Sequence, residues 1–169
     1  LAAQLMHAVA KVKGPVAWSG MGGPHMKEAG LSSSEGMGQL SIIGISDAFT
    51  ALPRLYRLAD RLIDQIMDTR PDIVFTVDSK AFSVRFAKRL RKRLSGGAWQ
   101  PQLIHMVAPT IWAWGEWRKK VFEQTFDGLL CLFPFEPELF DQTQLQVKFI
   151  GHPQTCLLYT SPSPRDLVI

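Results

Sequence analysis

Leu103-Ile104-His105-Met106-Val107-Ala108-Pro109-Thr110-Ile111-Trp112-Ala113-Trp114 is the stretch on which the fold turns. Leu103 to Val107 is an apolar run interrupted only by His105, the pattern of a strand covered on both faces in a parallel sheet. Ala108-Pro109 stops that strand, and Trp112 and Trp114 follow directly. In an open α/β sheet the loop leaving the carboxyl end of a strand is where ligands bind. An aromatic loop at that place reads as a ligand floor. The plainer alternative is packing, and the i, i+2 spacing divides the pair, pointing one ring inward and one outward if the loop is extended. His105, inside the apolar strand, reads as a satisfied core histidine rather than a base.

Working outward, strands and helices alternate. Leu1, Leu5, Ala8, Val9 and Val12 recur at helical spacing until Gly14-Pro15. Val16 to Ser19 reads as a short strand running into Gly20-x-Gly22-Gly23-Pro24. Pro24 suits the first turn of a short helix and Gly30 its C-terminal cap. Ser32 to Gly38 reads as a loop. Ser41 to Leu52 is apolar, Pro53 interrupts, and Leu55, Leu58, Leu62 and Ile66 continue at helical spacing. Asp72 to Val77 reads as a buried parallel strand, and Phe82 to Leu94 as a basic helix closed by Gly96-Gly97. A helix from Glu116 to Gln124, a strand over Gly128–Phe133, a short helix near Glu136–Asp141 and a strand over Val147–Ile150 complete the order. The expectation is a Rossmann-like α/β fold, a parallel sheet with helices on both faces, opening on a helix so that a first strand is missing upstream.

Composition narrows the function classes. The 169 residues are 46% hydrophobic and 20% charged, the balance of one globular domain, and no apolar run is long enough to cross a bilayer. Two cysteines are too few for a disulfide framework, and Cys131 lies in an apolar strand as a buried thiol. The net charge of +4 is modest, but Arg85, Lys88, Arg89, Arg91, Lys92 and Arg93 crowd one helix. Such a run is either a solvated face or a surface for an anionic partner. No His, Cys and carboxylate cluster has metal-ligand spacing, and Gly20 to Gly23 lacks dinucleotide-binding spacing, reading instead as a turn allowing close backbone approach.

Asp78 ends a buried strand, where partial shielding from water would raise its pKa toward that of a useful general base. The competing role is an N-cap for the next helix, which Ser79 or Ser83 could also fill. Arg118, Lys119 and Lys120 open a later helix, where clustered cations and free N–H groups suit a phosphate.

Several stretches together resemble one family. They are Gly22-Gly23-Pro24-His25-Met26-x-x-x-Gly30, Ile43-Gly44-Ile45, Pro71-Asp72-x-x-x-x-Val77-Asp78-Ser79, the 103–114 stretch itself, Pro134-Phe135-Glu136 and Phe149-Ile150-Gly151-His152-Pro153. The chain resembles lipid-A-disaccharide synthase from Leu1 to about Pro153; Pro-Thr-Ile-Trp-Ala-Trp is the specific part.

The resemblance implies the N-terminal, acceptor-side half of a GT-B glycosyltransferase. Such an enzyme joins UDP-2,3-diacylglucosamine to 2,3-diacylglucosamine 1-phosphate with inversion, needing no cofactor and no bound metal. It implies Asp78 as the base toward the acceptor 6-hydroxyl, and Ser79, Pro109, Thr110, Trp112, Trp114, Arg118 and Lys120 as substrate contacts, the two cations facing the 1-phosphate. It further implies membrane contact through Ile42, Ile43, Ile45, Phe49, Leu52 and Leu55, which could equally be core. The location is then cytoplasmic and peripheral on an anionic inner membrane, or a eukaryotic organelle such as the mitochondrion.

The departures are specific. The Gly-Glu-Thr-Ser-Gly-Asp loop and the C-terminal UDP-binding domain have no counterpart here, Ala81 stands where many members have a second aspartate, and Gly115 replaces a frequent arginine. The expected organisation is a partial GT-B domain over residues 1–153 followed by a non-native, disordered tail over 154–169, inactive by itself. The alternatives are another GT-B nucleotide-sugar enzyme and a non-catalytic basic α/β module that binds anionic lipid; nucleic acid is not expected as a partner.

Overall fold

The structure is a computed structural model that describes residues 1–36, 48–110 and 116–152, without the side chains of 33–36 and 48–52. The chain divides into two compact units, Leu1–Arg70 and Pro71–Ile169.

In the first unit, helix α1 (Ala2–Lys13) ends at Gly14, whose φ of 81° only glycine adopts without strain. Strand β1 (Trp18–Gly22) leads to the short helix α2 (Pro24–Glu28), with proline in its first turn. Strand β2 (Leu31–Gly36) then pairs parallel with β1, from Trp18 opposite Leu31 to Gly22 opposite Gly36. The loop expected over Ser32–Gly38 is therefore largely a strand. Serines have weak β preference, and the ladder bonds to β1 override it. Helix α3 (Ala48–Thr69) runs through Pro53, where a break was expected. Met6, Gly22, Leu31, Leu58, Ala59, Leu62 and Ile63 are buried.

The second unit is a four-stranded, wholly parallel sheet in the order β3-β4-β5-β6. Its strands are β3 (Ile73–Val77), β4 (Gln102–Met106), β5 (Gly128–Cys131) and β6 (Gln146–Phe149). Helix α4 (Lys80–Leu94) connects β3 to β4, and α5 (Glu116–Thr125) lies between β4 and β5. A single 3-10 turn at Pro137–Leu139 stands where a short helix was expected. Each strand is added on the same side of the last. Right-handed crossovers then place α4 and α5 on one face, and the two helices touch.

His105 packs on Phe122 of α5 and on Phe126 just after it, which marks the helix-covered face. Alternation and register put Val74, Thr76, Leu103, Leu129, Cys131 and Val147 on that face too. The opposite face carries Phe75, Val77, Ile104, Met106 and Leu130, apolar as well, which is why these strands read as unbroken apolar runs. At the amino edge one carboxylate oxygen of Asp127 accepts from Arg91 (2.6 Å) and from the Leu103 N–H (2.7 Å).

Gly22 supplies the first test. A Cβ there would collide with the Leu31 side chain and stand 2.8 Å from Met26 Sδ. Gly22→Ala is expected to destabilise the chain by about 1–3 kcal/mol, the usual effect of overpacking, measured by urea unfolding.

Candidate active site

Parallel strands all leave the sheet at one edge, and here the ladder continues one residue past them. Asp78 N–H donates to the Met106 carbonyl (3.0 Å), Val107 N–H to Leu130 (3.0 Å) and Ile150 N–H to Cys131 (2.9 Å). The carboxyl edge is therefore defined to within a residue on all four strands.

Backbone strain collects at that edge. Asp78 and Ser79 are both left-handed, with φ of 53° and 41°, and Val107 on the neighbouring strand has φ of 85°. Asp tolerates this region, whereas a β-branched valine does not. Strain of this kind persists where the surroundings enforce it, and it gathers at functional sites.

The Asp78 side chain is not the helix cap. The N-cap of α4 is Ser79, which makes no side-chain capping bond, and the Ser83 hydroxyl donates to the Asp78 backbone carbonyl at 3.0 Å. The turn is held through the backbone, leaving the Asp78 carboxylate exposed and, among the described residues, without a hydrogen-bond donor. The shielding anticipated from its place on a buried strand is absent, because the left-handed turn carries the residue out beyond the sheet.

His105 is fully buried below this edge, as expected of a core histidine. Nδ1 lies 2.8 Å from Thr76 Oγ1, while Nε2 has no partner among the described residues. Burial, with Lys80 adding to it, lowers the imidazole pKa to about 4 against the pull of the Val107 backbone and Asp78. Cys131 is likewise buried, and burial followed by Glu136 pushes its thiol up to about 12, so it is no nucleophile.

Of the other expected contacts, Ser79 and Thr110 are exposed at the edge, whereas Pro109 is buried. Arg118 and Lys120 are exposed in the first turns of α5, with the Arg118 guanidinium 5.4 Å from the Trp117 ring centroid. Trp112 and Trp114 lie outside the described residues, as do Ile42, Ile43 and Ile45. Phe49 and Leu52 belong to the described backbone of α3 only, and Leu55 is half-buried. Among the described residues no three His, Cys, Asp or Glu side chains converge as metal ligands do.

Sequence reasoning missed Glu136. It is buried, and its Oε2 accepts from the N–H groups of both Leu132 and Phe133 at 3.0 Å, closing the turn that leaves β5. The signal was a Glu three residues beyond the apolar run that ends at Phe133 and two beyond Pro134, where the free N–H groups of a turn need an acceptor.

The sequence pattern of the lipid-A-disaccharide synthetase family matches residues 1–161. The chain belongs to this family. It is 37% identical over 153 residues to a lipid-A-disaccharide synthase of Idiomarina loihiensis, covering 90% of this chain and 39% of that protein. It is 38% identical over 154 residues to the one of Rhodospirillum centenum, covering 90% and 37%. Against the enzyme of Pseudomonas paraeruginosa the identity is 34% over 168 residues, covering 99% and 42%. The chain thus spans about two fifths of the length of these relatives. The parallel α/β architecture agrees with a Rossmann-like half of a GT-B fold.

Two stability outcomes follow. Glu136→Ala strands two backbone donors in a buried turn and is expected to cost about 2–4 kcal/mol in urea unfolding. For His105, the folded pKa lies below that of the unfolded chain. The unfolded state therefore takes up the proton first, and stability falls as pH drops from 6.5 toward 4. His105→Asn should flatten that slope relative to the parent; an unchanged slope would remove His105 as its source.

Proposed function

We propose that this chain is the acceptor-side half of a lipid-A-disaccharide synthase, a glycosyltransferase of lipid A biosynthesis. In the reaction the acceptor 6-hydroxyl of 2,3-diacylglucosamine 1-phosphate attacks the anomeric carbon of UDP-2,3-diacylglucosamine. The C–O bond to UDP breaks as the β-1′,6 bond forms, with inversion, and UDP leaves with the bonding pair. Asp78 accepts the hydroxyl proton.

The observation that carries this reading is the Asp78 carboxylate itself. It is exposed at the carboxyl edge of a parallel sheet, on a strained turn, and is not used in capping α4. At the same edge, Ser79 and Thr110 offer hydroxyls for the sugar, and Pro109, Trp112 and Trp114 supply the acceptor wall in this reading. Arg118 and Lys120 take the 1-phosphate. Their position on the first turns of α5 adds backbone N–H groups directed at an anion. UDP is held by a second domain in this scheme.

Peripheral association with an anionic membrane, at the cytoplasmic face of the inner membrane, belongs to the same reading because both substrates carry acyl chains. It is supported by the exposed cations of α4, among them Arg85, Lys88 and Lys92, and α4 contains no acidic residue. Among the described residues no helix is long and apolar enough to cross a membrane.

Asp78→Asn in the full-length reading frame is the decisive variant. Disaccharide formation should fall by about 10²–10⁴-fold in kcat, the usual worth of a general base, with acceptor KM little changed. Activity within a few-fold of the parent would remove Asp78 from the mechanism.

A further inference from the structure

A polar side chain of β3 meets one of β4 shortly before the Asp78 turn. Thr76 and His105 are register partners in the parallel ladder. Thr76 Oγ1 lies 2.8 Å from His105 Nδ1 and 3.5 Å from the Ile104 carbonyl oxygen. The neighbouring pairs Val74–Leu103, Phe75–Ile104 and Val77–Met106 are apolar on both strands. Apolar contact is non-directional, whereas a hydrogen bond holds only over a narrow range of distance and angle. The His105 ring is itself fixed, fully buried with the Phe122 and Phe126 ring centroids 5.2 and 5.0 Å away.

Two residues further along these strands come Asp78 and Val107, left-handed with φ of 53° and 85°. Asp78 N–H still bonds to the Met106 carbonyl, so both turns hang on the end of the same ladder. A residue held in this region costs about 1–3 kcal/mol and stays there only while its surroundings enforce it. Backbone bonds alone do not enforce it, because a strand that slips by one residue re-forms them with every side chain on the other face. Such a slip would carry His105 out from between Phe122 and Phe126 and break its bond to Thr76.

We infer that Thr76 and His105 are positioning residues for the proposed transfer: their hydrogen bond locks β3 to β4 two residues before the left-handed turns and so fixes where the Asp78 carboxylate meets the acceptor hydroxyl. The inference rests on the Asp78 reading above. His105 is fully buried, so it acts through the backbone that carries Asp78 and Val107, not on the substrate. Its imidazole stays neutral, and the pair therefore supplies geometry rather than charge beneath the carboxylate. A general base must stand within about 2.6–3.2 Å of the group it deprotonates. A displacement of about 1 Å, even one originating away from the chemistry, lowers the rate by up to about 10²-fold.

The test is disaccharide formation by the full-length reading frame carrying Thr76→Val, which removes the hydroxyl at nearly constant shape. Its kcat should fall about 10- to 100-fold, with acceptor KM within about twofold of the parent. Thr76→Ser, which keeps the hydroxyl, should recover most of that loss. Thr76→Val/His105→Phe replaces both polar partners by apolar groups, a change that can be nearly neutral for stability. It should lose kcat to the same extent, and it carries the test should the single variant fold poorly. In an Asp78→Asn background Thr76→Val should bring no further loss, because residues that act as one unit are not additive. A folded variant with kcat within about twofold of the parent overturns the positioning pair and leaves Asp78 as the base. An equal loss in the Asp78→Asn background, or a loss confined to KM, overturns the pair as well. Parent-like activity in Asp78→Asn overturns the Asp78 reading and the pair together.

Discussion

Because β3 to β6 run parallel, all four strands release the chain at one edge, and the placement of every candidate residue in this unit depends on that constraint. A parallel ladder cannot be closed by hairpins; each strand must be reached by a crossover, and each crossover begins with a turn at the carboxyl end. Asp78, Val107, Phe133 and Ile150 are widely separated in sequence, yet each is within two residues of a strand end on the same side. The ladder bonds that continue past the strands fix these positions relative to one another.

That edge is held from below by apolar packing and from the side by backbone hydrogen bonds, so its polar groups remain available. His105, wedged among Thr76, Phe122 and Phe126, fills the space beneath and stays neutral down to acid pH. Glu136 satisfies two donors that a buried turn would otherwise leave unpaired. Ser83 closes the β3 turn through the Asp78 carbonyl rather than its carboxylate. In each case a polar group stabilises the turn without drawing on Asp78, consistent with a carboxylate kept for a substrate. The contrast between Glu136 and Asp78 makes the point: both are acids at strand ends, and only one is engaged by the fold.

Much of the element order was legible because parallel strands apolar on both faces leave unbroken apolar runs. Ile73–Val77, Gln102–Met106 and Gly128–Cys131 were each located to within two residues. The Ser-rich strand β2 was not legible, since its cause is a partner, Trp18–Gly22, supplying ladder bonds to residues with weak strand preference. Helix α3 passes through Pro53, whose local signal is a break.

At the site the sequence by itself determined identities: an aspartate ending a strand, a proline-stopped strand leading to two tryptophans, and a wording specific enough for membership in the lipid-A-disaccharide synthetase family. Only the tertiary structure decided exposure and engagement. It put Asp78 outside the shielded position its strand implied, because φ at two successive residues turns the chain away from the sheet. It buried Pro109 and Glu136 and left Phe133 and Phe135 in water. Residue order fixes which chemistry is present; which groups are satisfied internally depends on neighbours brought together by the ladder, and those neighbours are distant in the chain.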